Sequence, residues 1–304
     1  MTSCQNENSS NENMQSDVST AIDDKNIIPG QYIVLFKESK ITSAAKQLGK
    51  SVFTDRKAKA ASVDRITEVS IKKINTVLAD NNIDRSKVLN YYTTKISGMA
   101  IKLTDAEFDK IARDENVESI EFDRRVELPK FEVENVTTLN DAQRAPQTTP
   151  CGINNAGGFA NGSSKNTWVW VIDSGIDLDH PDLNVVTSST YAKSFAGGSA
   201  NDCNGHGTHV AGTIGGSQYG VAKNVSIVGV RVLSCSGSGS TSGVIAGVDW
   251  VAANASGPSV ANMSLGGGQS VALDSAVQSA VQSGVSFMLA AGNSNADACN
   301  YSPA

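Results

Sequence analysis

From residue 168 to residue 290, continuous apolar runs take turns with helix-period patterns. That alternation constrains the fold more than any other feature of the 304 residues. The runs at 168–172, 225–232, 260–263 and 285–290 lack polar alternation, as strands buried on both faces require. Between them 206–215, 242–254 and 270–283 read as helices, with Ala211, Gly212 and Gly247 small enough for close packing on a sheet. The expectation over residues 148–304 is an α/β unit, a parallel sheet with helices on both faces. Right-handed crossovers then gather the carboxyl ends of the strands along one edge, where such sheets bind ligands.

Composition shifts near residue 145: most lysines fall in 30–124, while 148–304 is rich in Gly, Ala, Ser and Val. In the first block 31–36, 87–93, 98–103 and 117–122 read as strands and 66–79 as an amphipathic helix. Thr104-Asp-Ala-Glu107 has the form of a capping box, opening a second helix to about residue 113. The order βαββαβ predicts a small α+β domain over 30–124, ferredoxin-like, with helices on one face of its sheet. Ile33, Leu35, Ile74, Val77, Ile101, Phe108 and Ile120 form its expected core. Residues 125–147 mix charges, contain Pro129 and Pro146 and lack periodicity, as a linker open to proteolysis does. Residues 1–29 are a polar tail whose composition cannot support a fold.

A net charge of −6 with scattered Lys and Arg argues against nucleic acid as a partner. No run approaches the roughly 18 apolar residues of a membrane span, and the N-terminus lacks the basic and apolar regions of a signal peptide. Thr2-Ser3-Cys4 followed by a polar tether resembles the processing site of bacterial lipoproteins, so membrane attachment is expected only through a lipidated Cys4. The alternative is a solvated tail with an incidental thiol. Cys151, Cys203, Cys235 and Cys299 fit neither a zinc knuckle nor a CxxC motif. Structural disulfides in an exported protein suit them, with buried free thiols as the alternative.

Asp173 directly follows the run 168–172, Ser264-Leu265-Gly266 follows 260–263, Gly292-Asn293 follows 285–291, and His206 opens a helix. Singly, these are a turn cap, a satisfied helix terminus and an Asx turn. At one sheet edge they become chemistry: a buried Asp fixes an imidazole tautomer, the imidazole takes a hydroxyl proton, and an Asn amide donates to an oxyanion. His209 lies one turn beyond His206, but the Glu of HExxH is missing, so it reads as structural. Gly237-Ser-Gly-Ser-Thr-Ser lacks the third glycine of GxGxxG, which removes a dinucleotide-dependent oxidoreductase.

Val171-Ile172-Asp173-Ser174-Gly175-Ile176, Asn204-Gly205-His206-Gly207-Thr208-His209-Val210-Ala211-Gly212-Thr213 and Ala290-Ala291-Gly292-Asn293 resemble the three N-terminal signatures of the subtilisin family. Tyr219-Gly220-Val221-Ala222-Lys223, Cys203, Gly237-Ser238-Gly239-Ser240 and Asn300-Tyr301-Ser302-Pro303-Ala304 are similar to the proteinase K branch, aqualysin in particular. Residues 30–124 resemble the family's inhibitory propeptide. The resemblance implies a secreted serine endopeptidase precursor in which Asp173 orients, His206 is general base and acid, and Asn293 donates to the oxyanion. Gly237, Ser238 and Gly239, with Ser264, Leu265 and Gly266, would pair with an extended polypeptide substrate, and Ala291 and Gly292 would line the first specificity pocket. It further implies a Cys203–Cys235 disulfide, the propeptide as intramolecular inhibitor, no catalytic cofactor, and structural calcium whose ligands are not mapped. Asp177, Asp179 and Asp182 read as solvated surface.

The family's order is Asp, His, Ser, and no Gly-Thr-Ser-Met occurs in the chain, so the nucleophile is expected beyond Ala304. The 304 residues alone are then expected not to hydrolyse peptides. The rival is a non-catalytic, peptide-binding pseudoenzyme. Against it stand an intact Asp, His and Asn beside an inhibitory propeptide.

Overall fold

The computed structural model describes residues 25–41, 56–128, 150–163 and 165–304. Cys4, most of the polar tail and most of the expected linker lie outside the described residues. The first unit contains β1 (Ile27–Phe36), α1 (Arg56–Asp80), β2 (Val88–Tyr92), β3 (Gly98–Lys102), α2 (Asp105–Ile111) and β4 (Val117–Glu127). Its strands are antiparallel, in the order β4-β1-β3-β2. Thr104 and Glu107 close the capping box at the start of α2 as their spacing requires: Glu107 N donates to the Thr104 hydroxyl and Thr104 N to the Glu107 carboxylate. An ion pair with Lys87 and these capping bonds hold the Glu107 carboxyl down at about 2.

Several expectations change here: β1 begins at Ile27, inside the expected tail, and α1 begins at Arg56 rather than at residue 66. The last strand, expected to end at residue 122, continues to Glu127. The extra residues form a ladder, because Arg125, Val126 and Glu127 find hydrogen-bonding partners in the second unit. Ile33 and Leu35 do not join the core under α1 and α2. In a strand successive side chains face opposite ways, so Tyr32, Val34 and Phe36 pack with Ile74, Leu78 and Ile111, while Ile33 and Leu35 face the second unit beside Tyr92, Ile96 and Ala100.

The second unit is built on β5 (Trp168–Asp173), α3 (His206–Gly215), β6 (Ser226–Arg231), β7 (Ser238–Ser240), α4 (Thr241–Asn254), β8 (Ser259–Met263), α5 (Val271–Gln282) and β9 (Val285–Leu289). The parallel sheet runs β9-β8-β5-β6, with Lys193–Ser194 beyond β6. Alternation divides β5: Trp170 and Ile172 pack with Val244, Val248 and Ala276 of α4 and α5, whereas Val169 and Val171 pack with Ala211 of α3. Helices therefore cover both faces, and β5 lies at the centre with its carboxyl end at the expected edge.

The units share a sheet. β7 adds antiparallel to β4, pairing Ser238 with Glu127, Gly239 with Val126 and Ser240 with Arg125. Helix N-termini carry donors without helical acceptors, and two acids of β4 meet them. Asp123, fully buried, accepts from Ser242 N at 3.0 Å and the Ser242 hydroxyl at 2.6 Å at the start of α4. Glu121 accepts from the Ser270 hydroxyl and from Ala272 N at the start of α5. In return Asp249 of α4 accepts from the backbone N–H groups of Thr93, Thr94 and Lys95, and the Tyr92 hydroxyl donates to the Ser242 carbonyl at 3.0 Å.

Candidate active site

Asp173 ends β5 with no exposed surface. Its carbonyl takes N–H groups from Val232 and Leu233, fixing the turn out of the sheet. His206 begins α3, and two glycines allow the close approach: a Cβ on Gly207 would run into the Gly175 carbonyl, and one on Gly175, at φ +108°, would lie 2.6 Å from the Ala200 carbonyl. His206 Nδ1 consequently lies 2.8 Å from Asp173 Oδ1, which also accepts from Ser174 N at 2.7 Å. With a carboxylate as acceptor, Nδ1 carries the proton and Nε2 keeps its lone pair. The Asp173 hydrogen bond is the main force raising the His206 pKa above 6.5; burial opposes it.

Ser264, Leu265 and Gly266 follow β8, and Ala290, Gly292 and Asn293 follow β9; the two segments line one cavity of about 340 Å³, together with Asn26 and Glu127. Ser238 and Gly239 lie in the ladder with β4 of the first unit. Leu128 N donates to the Gly237 carbonyl at 2.9 Å, one residue past the ladder. Val126 is buried, 3.7 Å from where a side chain on Gly267 would begin. Cys203 and Cys235 are bonded to each other and join the loop before His206 to the loop before Gly237. Cys151 is an exposed free thiol in the short helix Cys151–Asn155.

Sequence reasoning missed Asp202, Ser174 and Arg231. Asp202 accepts from the Ser174 hydroxyl, Asn204 N, Gly205 N, Thr208 N and the Thr208 hydroxyl. Burial raises its pKa, but these bonds outweigh it and hold the carboxyl below its ordinary value. Arg231 is a buried cation spent on carbonyls: Nε donates to Leu233, and Nη1 donates to Ser199 and Asn201. The signal in the sequence for Asp202 is its position four residues before His206.

The acidic cluster expected as solvated surface is mostly half-buried. Asp177 and Asp182 line a cavity of about 1010 Å³ with His180 and His209, and Asp182 accepts the Ser217 hydroxyl; Asp179 alone is exposed. The His209 ring stands exposed at this cavity's rim. Among the described residues no group of three or more His, Cys, Asp or Glu could hold a metal ion, and no helix is long and apolar enough to cross a membrane.

Residues 164–304 match the family model of the subtilase family, and residues 31–129 match that of peptidase inhibitor I9. The chain is 49% identical over 280 residues to the alkaline serine exoprotease A of Vibrio alginolyticus, covering 91% of this chain and 48% of the relative. It is 40% identical over 278 residues to the extracellular serine proteinase of Thermus sp. (strain Rt41A), covering 91% of this chain and 64% of the relative. Among solved structures, a cold adapted subtilisin-like serine proteinase is 66% identical over 48% of this chain and 53% of its own, with a TM-score of 0.43. The chain thus spans between about half and two thirds of the length of these curated relatives.

Proposed function

Because residues 164–304 belong to the subtilase family and residues 31–129 to the peptidase inhibitor I9 family, we propose that the chain is the inhibited precursor of a secreted serine endopeptidase. The observation that carries this is the buried Asp173 carboxylate held 2.8 Å from His206 Nδ1, with the inhibitor's β4 lying along the adjacent substrate edge. Asp173 fixes the tautomer, and Nε2 removes a proton from a serine hydroxyl as its oxygen attacks the peptide carbonyl. The Asn293 amide donates to the oxyanion that forms, and His206 returns the proton to the departing amine. Water repeats the cycle on the acyl-enzyme. No Gly-Thr-Ser-Met occurs in the 304 residues, so the nucleophilic serine is assigned to none of their positions.

Substrates are extended polypeptides. Gly237, Ser238 and Gly239 on one side and Ser264, Leu265 and Gly266 on the other supply the backbone to which a strand adds, and Ala291 and Gly292 border the first side-chain pocket. The ladder from Arg125 to Glu127 and the Leu128 hydrogen bond support the same mode for the inhibitor, bound as a cleaved product would be. The processing site lies in the linker after Leu128. No cofactor takes part; structural calcium remains part of the proposal, with no ligands assigned.

The test is to express the chain with and without its downstream sequence. Hydrolysis of a chromogenic peptide, and its loss to a serine-directed phosphonyl fluoride, should appear only in the longer protein after the linker is cut. A longer protein that binds peptide, is cut, and hydrolyses nothing overturns the reading.

A further inference from the structure

Beyond the two residues of the dyad, the geometry points to Asp202 as a positioning residue that sets the Asp173–His206 contact through the Ser174 hydroxyl. The inference rests on the dyad reading above. Asp173 and His206 sit on separate elements, 33 residues apart, and their side chains share one hydrogen bond. Something must hold the end of β5 and the start of α3 in register.

The neighbours of the dyad do so. Ser174, next to Asp173 and fully buried, donates its hydroxyl proton to Asp202 Oδ1 at 3.0 Å. Ser174 Oγ in turn accepts from the N–H of Gly207, next to His206, at 3.0 Å. A single hydroxyl therefore ties the residue after the carboxylate to the residue after the imidazole, and Asp202 fixes its rotor. With Oδ1 Asp202 also accepts from Asn204 N and Gly205 N, and with Oδ2 from Thr208 N and Thr208 Oγ1. It thereby acts as the cap that Gly205, at the N-cap position of α3, cannot supply. Arg231 steadies the approach by holding the carbonyls of Ser199 and Asn201. Because every bond to Asp202 is a donor to an anion, an amide in its place would turn one acceptor into a donor facing donors.

The test uses the full chain and the His206 ring as reporter. Removing Asp202 also removes a charge that itself raises the His206 pKa, so the deciding variant is Ser174→Ala, which changes no charge. Wild type, Ser174→Ala, Asp202→Asn and Asp173→Asn are titrated by NMR at the imidazole, with circular dichroism as a folding control. We expect the His206 pKa to fall toward 6.5 in Ser174→Ala and further in Asp202→Asn, and the Nδ1 proton to exchange faster in both. A folded Ser174→Ala with unchanged His206 pKa and exchange overturns the inference. If Asp173→Asn also leaves the pKa unmoved, the dyad reading fails instead.

Discussion

A carboxylate with no exposed surface, paired to an imidazole at 2.8 Å, gives opposite pH signatures for stability and turnover. The folded-state pKa of His206 is raised, so its pairing stabilises the fold fully below 6.5 and that contribution is lost as pH rises through the folded value. Turnover needs neutral Nε2 and so rises across the same window; a pH–rate profile of the complete enzyme should show its acid limb above 6.5. In that enzyme Asp173→Asn should lower turnover by about 10⁴, the loss known for the tautomer error in a convergent protease. Asn293→Ala should cost about 10²–10³, the value known for the oxyanion donor of subtilisin; single-turnover kinetics would check both. The Asp173–His206 pair was legible because one residue ends β5 and the other begins α3, each inside a recognisable run of small residues. Asp202 was not, since nothing in Asp-Cys-Asn-Gly-His tells how many donors converge until the loop is folded.

Elements announced themselves where the pattern was local. The continuous apolar runs and the period-3.6 patterns placed β5, β6, β8, β9 and helices α3, α4 and α5 within a residue or two, and Thr104 with Glu107 marked the start of α2 correctly. The reach of β4 to Glu127 had no local signal, because its ladder partner lies more than a hundred residues away in β7. The same distance hid the acids at the starts of α4 and α5. Asp123 serves Ser242 across 119 residues and Glu121 serves Ser270 across 149, beyond any rule for helix starts. Asp123→Ala would leave the Ser242 N–H buried without its acceptor, a loss of about 1–3 kcal/mol. Urea unfolding of the intact chain should show it as a lowered midpoint at unchanged slope.

The two folded units meet through the β4–β7 ladder, a shared apolar cluster, and carboxylates that accept from hydroxyl and N–H groups across the boundary. Burial pushes the carboxyl pKa values of Glu121, Asp123 and Asp249 up, against the hydroxyl and N–H donors that favour their charged forms and, for Glu121, against Arg124. Docking therefore takes up protons: its stability is greatest below the free carboxylate values and declines as pH rises through the docked ones. In chain cut within the linker, association of the halves should be tighter near about pH 5 than near about pH 7.5, and Glu121→Gln should flatten the difference. Calorimetric titration showing the reverse slope would assign control to other groups. The two-faced use of β1 was the part of this design that the sequence concealed, since Ile33 and Leu35 look the same whether they cover a domain's own helices or another's. At the far side of the parallel sheet, β9 is hydrogen-bonded to β8 alone among the described residues, and Met288 is exposed on it. A strand with one unsatisfied side is a template for any extended chain, another molecule of the same kind included. At high concentration these 304 residues should pair edge to edge, and Met288→Lys should suppress the resulting dimers in sedimentation velocity.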